Sequence, residues 1–347
     1  MKTTVSILLI ALLTISYSFS YAQKNQCKKS FLVVQYNVEN LFDTIHNPGK
    51  RDSEFLPIGK KEWNSKRYWD KENKIATVLQ QINPTHFPDL ISLVEIEDQR
   101  VLDDLISRPE LQKAHYRIVH RESPDMRGID CALLYNPKTF KLISKNFYKV
   151  SMKSNPNFKT REILYAKGLT AAGDTLNVFV NHWPSRRGGM EKSEPKRNLA
   201  ASVLRHAVDS LFKVNSKAKI IILGDFNDET NNHSIEKTLA ATADIHRATP
   251  YLYNMASIED QQGLGSYHYW KTNEWNMIDQ MIISNALLNA TSGLETKDNQ
   301  INIFRPDWIL HTDKDGTKVP ARTYGRTYYG GYSDHLPIYQ YFYYHCR

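Results

Sequence analysis

The sequence predicts an α/β fold in which two mixed β-sheets pack face to face, with helices outside. Three observations carry that expectation. Apolar runs that read as strands alternate with segments of helical periodicity along most of the chain, an order that layers sheets against helices. The 347 residues are 41% hydrophobic and 24% charged, ordinary globular values that supply a sizeable core for one large domain or two small ones. No repeat, low-complexity stretch or interdomain linker interrupts the pattern.

The first segment is not part of the fold. Met1-Lys2, the apolar run 5–15 and Ser20-Tyr21-Ala22 form a charged n-region, an h-region and a small-x-small site. That is a secretory signal peptide, cleaved after Ala22 to leave Gln23 as the mature start. The run is too short to span a bilayer, and no later segment is long and apolar enough. The expectation is an exported protein, secreted or periplasmic, with 23–347 as a single domain, monomeric and without stable membrane association. Loss of Lys2 lowers the formal charge from +8 to +7. A basic exported chain favours anionic partners such as nucleic acid or acidic lipid.

Residues 31–38 read as a buried strand, and 44–64 as a charged, loop-like insertion carrying Lys50, Arg51, Lys60 and Lys61. Ile75, Val78, Leu79 and Ile82 recur at helical spacing until Pro84. A strand at 89–96 and a short helix around Val101, Leu102, Leu105 and Ile106 follow. Strands are then expected at 116–120, 132–135, 147–152, 162–169 and 176–182. The second half predicts a helix over 193–212, a strand at 220–226, a short helix near Ile235, and strands at 277–284 and 338–344. Lys192, Lys196 and Arg197 read as a solvated face of the long helix. Cys131, in an apolar run, reads as a buried thiol. Cys27 and Cys346 lie just outside the first and last predicted strands, where an oxidising compartment would let them form a disulfide.

Chemistry-bearing side chains stand where these strands end, the place where a rigid sheet presents groups to solvent. Glu95 ends one apolar run, Asn37 another and His182 a third. Taken singly, each is an ordinary strand-end or turn residue. Asp225 and Asn227 share the turn Gly224-Asp225-Phe226-Asn227, two apart and so on one side of extended backbone. Asp334 and His335 are adjacent and face opposite ways, so His335 needs a carboxylate from elsewhere. Asp279, a lone acid inside an apolar run and costly unless paired, is the best candidate. Together these groups suit breakage of a phosphate ester: a hard cation on oxygen ligands, an oriented water, and a proton for the leaving oxygen.

These residues also carry a resemblance. Asn37-Val38-Glu39-Asn40, Leu93-Val94-Glu95, Asn181-His182-Trp183, Gly224-Asp225-Phe226-Asn227, Ile278-Asp279 and Ser333-Asp334-His335-Leu336-Pro337 are similar, in order, to the motifs of the endonuclease/exonuclease/phosphatase superfamily. The resemblance implies a deoxyribonuclease I-like four-layer α/β sandwich with the site at one edge of the paired sheets. It implies Mg²⁺ or Mn²⁺, with Ca²⁺ as an alternative, at Glu95, with Asn37 beside it and Asp334 close by. It gives Asp225 the water or leaving-group proton, Asn227 the phosphate, Asp279 the orientation of His335, and His182 a place in the catalytic set. Arg127 and Arg161 occupy places where relatives contact phosphate, and Asn181-His182-Trp183-Pro184-Ser185-Arg186-Arg187 looks most like exported bacterial nucleases.

The loop 322–332 interleaves Arg322 and Arg326 with tyrosines, which suits phosphate contact and base stacking better than lipid insertion. The leading expectation is thus a metal-dependent nuclease acting on DNA, with RNA as a further substrate. The alternatives are a sphingomyelinase-like or small-molecule phosphodiesterase, and an inactive nucleic-acid binder. The last would lack one of Glu95, Asp225, Asn227, Asp279 or His335, and none is missing.

Overall fold

The computed structural model describes residues 28–288 and 290–345. Its first half builds β1 (Lys28–Leu41), α1 (Ser65–Gln81), β2 (Leu90–Ile96), α2 (Gln99–Ile106), α3 (Pro109–Gln112), β3 (Arg117–His120) and β4 (Asp130–Tyr135). Then come β5 (Phe140–Tyr148), β6 (Ile163–Thr170), β7 (Thr175–His182), α4 (Met190–Val214), β8 (Lys219–Asp225), β9 (Ala241–Thr242), β10 (Leu252–Asn254) and α5 (Ser257–Gln261). The last part adds a hairpin of β11 (Tyr267–Tyr269) and β12 (Glu274–Asn276), then β13 (Asp279–Ser284), β14 (Asn302–Ile303), β15 (Leu310–Thr312), β16 (Lys318–Pro320) and β17 (Ile338–His345).

Two mixed sheets result, with strand orders β14-β17-β1-β2-β4-β3 and β5-β6-β7-β8-β13-β10-β9. Each has a parallel pair at its centre, β1 with β2 and β7 with β8, flanked by antiparallel neighbours. Such central strands are covered on both faces, which is why they read as unbroken apolar runs.

Three cores give the layering. Val33, Val94, Leu133, Val178, Leu223 and Met281 pack between the sheets. Val34, Leu93 and Leu134 face outward onto Ile75, Leu79 and Leu102 of α1 and α2. Phe179, Ile220 and Ile222 face outward onto Ala201, Leu204 and Val208 of α4. The order is helix, sheet, sheet, helix, as the sequence predicts. Asn64 caps α1 by accepting from the Arg67 N–H at 3.2 Å.

Several expectations are corrected. The strand expected at 147–152 is instead β5, displaced toward the N-terminus. β5 is an edge strand whose central residues are exposed and polar, so its pattern carries little signal. The short strands β9 to β12 and β14 to β16, with α3 and α5, have no counterpart in the sequence reading. Arg197 is not on a solvated face: it is fully buried. Residues 1–22, Cys27 and Cys346 lie outside the described residues, whereas Cys131 is a buried free thiol.

Candidate active site

The central parallel strands of both sheets end at one rim. Asn37 lies in β1 and Glu95 in β2, while His182 ends β7 and Asp225 ends β8. Asp279 opens β13 directly opposite Asp225, and His335 lies just before β17. Contacts across the sheets show the convergence. Asn37 Nδ2 donates to Asp225 Oδ2 at 3.0 Å. His182 Nε2 stands 3.9 Å from Glu95 Oε1 and 3.8 Å from Asp225 Oδ2. Glu95, His182, Asp225 and His335 face an open cleft of 1360 Å³ whose walls also include Arg127, Arg187, Asn227, Tyr267 and Asp334.

Backbone irregularities aim the side chains. Glu95 has φ of 66° where the β2–β4 register shifts between Val94 and Ile96. The bulge takes Glu95 out of the ladder, and its Oε2 accepts the Asn40 N–H at 2.9 Å. Asn227 has φ of 51°, and its N–H donates to Asp225 Oδ1 at 2.8 Å, an Asx turn. The turn-forming and cleft-facing readings of this motif therefore hold together.

Charge is unevenly shared among the three central groups. Asp279 is fully buried, and its Oδ2 lies 2.6 Å from His335 Nδ1 and 2.7 Å from Ser266 Oγ. Burial pulls the His335 pKa down, but the Asp279 carboxylate, by charge and hydrogen bond, and then Asp225 and Asp334 outweigh it and raise it to about 10. His335 is an imidazolium at neutral pH. His182 is the opposite case. Burial, then the charges of Arg161, Arg127 and His335, hold it well below the usual histidine range, so it is neutral. Its Nδ1 has no hydrogen-bond partner among the described residues. Asp225 is raised to about 7 by burial and by Asp279, with His335 pulling it back. A carboxyl that titrates near neutrality suits proton transfer.

The oxygen donors that could hold a dication are Glu95 and Asp334. Their side chains are 13% and 22% exposed, which leaves oxygens facing the cleft. Glu39 joins them. Burial and the Asp334 charge raise its pKa to about 7, the mark of carboxylates crowded together. This hard, oxygen-only donor set fits Mg²⁺, Mn²⁺ or Ca²⁺. Among the described residues, no three His, Cys, Asp or Glu side chains form a ready-made cage. Mg²⁺ typically keeps several waters and takes only one or two protein carboxylates.

Other expected residues are placed differently. Asn37 turns away from a ligand role: its Oδ1 accepts the Glu39 N–H at 3.0 Å, and its amide faces Asp225 and His335. Arg161 is buried and is not among the residues lining the cleft. It contacts Asp125 at 3.1 Å and donates to the carbonyls of His182 and Trp183, bracing the end of β7. Arg186 lines the cleft and also donates to the Asn227 carbonyl at 2.7 Å and to Asn232 Oδ1 at 2.8 Å, which holds the Asp225 turn. Arg322 lies 3.0 Å from Asp334 Oδ2 and 3.4 Å from Glu39 Oε1. Arg326 is exposed and is not among the residues lining the cleft. Tyr324 and Tyr328 are not free stacking platforms, because Lys61 and Arg67 cover their rings at 5.0 and 4.6 Å. Arg127 does line the cleft, with a 45% exposed side chain 3.5 Å from Glu95.

Glu39 and Lys71 received no role from the sequence. Lys71 is fully buried in α1, and its Nζ donates to Thr323 Oγ1 at 2.6 Å and to the Tyr332 carbonyl at 3.1 Å. It ties the loop before Asp334 to the sandwich. A signal existed, since Lys71 stands four residues before Ile75 on the apolar stripe.

Residues 32–344 match the Endonuclease/Exonuclease/phosphatase family. The chain belongs to this family. Its members are phosphoric ester hydrolases, generally metal-dependent, and include nucleases and other phosphodiesterases. Solved structures with the same fold include an endonuclease/exonuclease/phosphatase family protein from Bacteroides thetaiotaomicron. It is 14% identical, with 92% of this chain and 100% of that one covered and a TM-score of 0.55. A humanized D. rerio TDP2 is 13% identical, with 90% and 98% covered and a TM-score of 0.54. The human Nocturnin catalytic domain, solved with a bound sulfate anion, is 16% identical, with 91% and 97% covered and a TM-score of 0.52. Compared with curated protein sequences, the chain has no match.

Proposed function

We propose that this chain is an exported, metal-dependent nuclease that hydrolyses DNA, with RNA as a further substrate, by in-line attack of water on the phosphodiester. One observation carries the reading. Asp225 lies between a cationic His335 and a neutral His182, 4.0 and 3.8 Å from their Nε2 atoms, in a cleft open to a long substrate.

The roles follow from charge. Asp225, near its titration point, holds or moves the proton of the water or leaving oxygen. His335, kept cationic by Asp279, places positive charge where the phosphoryl oxygens gain negative charge. His182 has no charge to offer but can orient a water or an oxygen through Nε2. Glu95 and Asp334 would hold the dication, which when bound supplies Lewis-acid polarisation of the phosphate. Arg127 offers the substrate backbone an exposed cation at the rim. Export rests on the leader 1–22, which makes 23–347 the mature catalytic domain, and the +7 charge favours a polyanion.

The test incubates purified mature protein with plasmid, linear DNA, RNA and sphingomyelin vesicles, each with Mg²⁺, Mn²⁺, Ca²⁺ or chelator. Metal-dependent loss of DNA is the expected result. Brisk sphingomyelin cleavage with every nucleic acid untouched would replace this reading with that of a phospholipid phosphodiesterase.

A further inference from the structure

Behind the turn that carries Asp225 and Asn227 lies an ion pair with no place in the chemistry described so far. Arg197 of α4 is 0% exposed and Asp228 is 1% exposed, and Arg197 Nε lies 2.7 Å from Asp228 Oδ1. That approach is too bent to count as a hydrogen bond, so this contact is one of charge. The rest of the guanidinium is directional. It donates to Ser193 Oγ at 2.6 Å and to the Met190 carbonyl at 3.1 Å, both in the first turns of α4. Asp228 is held from two further sides: its Oδ2 accepts from Ser234 Oγ at 2.6 Å, and its carbonyl accepts from Gln280 Nε2 at 2.7 Å.

Two fully desolvated charges are a poor way to gain stability, because well-packed apolar side chains of similar volume often do as well or better. What the pair supplies is orientation. One end fixes the residue after Asn227, whose φ of 51° is a left-handed conformation that non-glycine residues visit only where the surroundings hold them. The other end fixes the start of α4, where Met190 closes the cleft wall opened by Ser185. Arg186 Nε also stands 3.6 Å from Asp228 Oδ1, but only Arg197 joins this carboxylate to the start of α4, and so sets the catalytic turn relative to the wall beside it.

We propose that Arg197, through Asp228, is a positioning residue for phosphodiester hydrolysis, holding the Asp225–Asn227 turn in register with the Arg186–Met190 wall. The inference rests on the nuclease reading above. It calls for an effect on turnover that is separable from folding, since both side chains are buried and neither lines the cleft.

The test uses the whole mature protein, a labelled oligonucleotide and a small chromogenic phosphodiester, with melting temperature, kcat and KM measured for each variant. Arg197→Met should lose both stability and turnover, because it removes the nearer of the two cations facing a buried carboxylate. The pair Arg197→Met with Asp228→Leu should recover the melting temperature but keep kcat about tenfold to a hundredfold low, the size of effect that small misplacements produce. KM should change little. Arg197→Lys keeps a charge for Asp228 but not the fork that also reaches Ser193 and Met190. It should fold and show the same fall in kcat, which keeps the proposal testable if the double variant is unstable. Wild-type kcat in a folded Arg197→Lys protein, or joint recovery of melting temperature and kcat in the double variant, would show the pair to be structural only. Wild-type protein inert toward every phosphodiester with every dication would overturn the nuclease reading, and this inference with it.

Discussion

Replacing Asp279 by Asn removes the charge that keeps His335 protonated while nearly conserving volume. His335 is 6% exposed and Asp279 0%, so solvent screens the pair little. The folded-state pKa of about 10 stands above the ordinary histidine value of 6.5. The protonated form is therefore favoured by folding. That stability is fully present below pH 6.5 and is lost as pH rises through 10. The difference corresponds to roughly 5 kcal/mol at pH 5.5, about 3 kcal/mol at pH 8 and close to nothing above pH 11. Breaking a buried ion pair by removing one partner costs about 3–5 kcal/mol, the same scale.

The assay is denaturant unfolding of wild type and Asp279→Asn from pH 5.5 to 10.5, in chelator, with the His335 ring followed by NMR. Wild-type His335 should stay protonated through pH 8.5, and the stability gap between the proteins should narrow as pH rises. A wild-type His335 that titrates near 6.5, or a gap that is flat with pH, would refute the argument.

Further outcomes follow from the same geometry. Glu95→Gln should leave the melting temperature near wild type, because this side chain sits at the rim, and should reduce turnover by orders of magnitude along with dication affinity. Arg127→Ala should flatten the slope of log DNA affinity against log salt by about 0.9, the share of one neutralised phosphate in counterion release, whereas Arg326→Ala should leave it unchanged. In the sequence, Cys27 and Cys346 lie just outside the first and last strands. Intact mass of non-reduced mature protein should show one free thiol, Cys131, and alkylation of three would remove the disulfide.

Much of this site was legible because its strands are buried on both faces. An apolar run that stops at Glu95, His182 or Asp225 marks both a strand and its end. Asp279 was legible as an acid with nothing local to pair with, and its 2.6 Å contact with His335 is the pairing such burial requires. What stayed hidden was charge neutralised at long range. Lys71, Arg161 and Arg197 look like solvated cations until the fold brings Thr323, the β7 carbonyls and Asp228 against them. Lys71 and Arg197 do carry a local sign. Each stands four residues before an apolar residue of its helix, Ile75 or Ala201, on the buried stripe. The hairpin of Tyr267–Tyr269 and Glu274–Asn276 had no such sign. Its strands are three residues long and half-exposed, so no period develops.

The most direct test of the central claim is hydrolysis of a labelled DNA oligonucleotide by purified mature protein in ¹⁸O-water, with and without Mg²⁺ or Mn²⁺. Metal-assisted attack of water on phosphorus predicts cleavage only with metal, and one ¹⁸O in the product phosphate for each bond broken. Cleavage that persists in chelator, product phosphate without ¹⁸O, or DNA and RNA left intact with every dication would contradict the account.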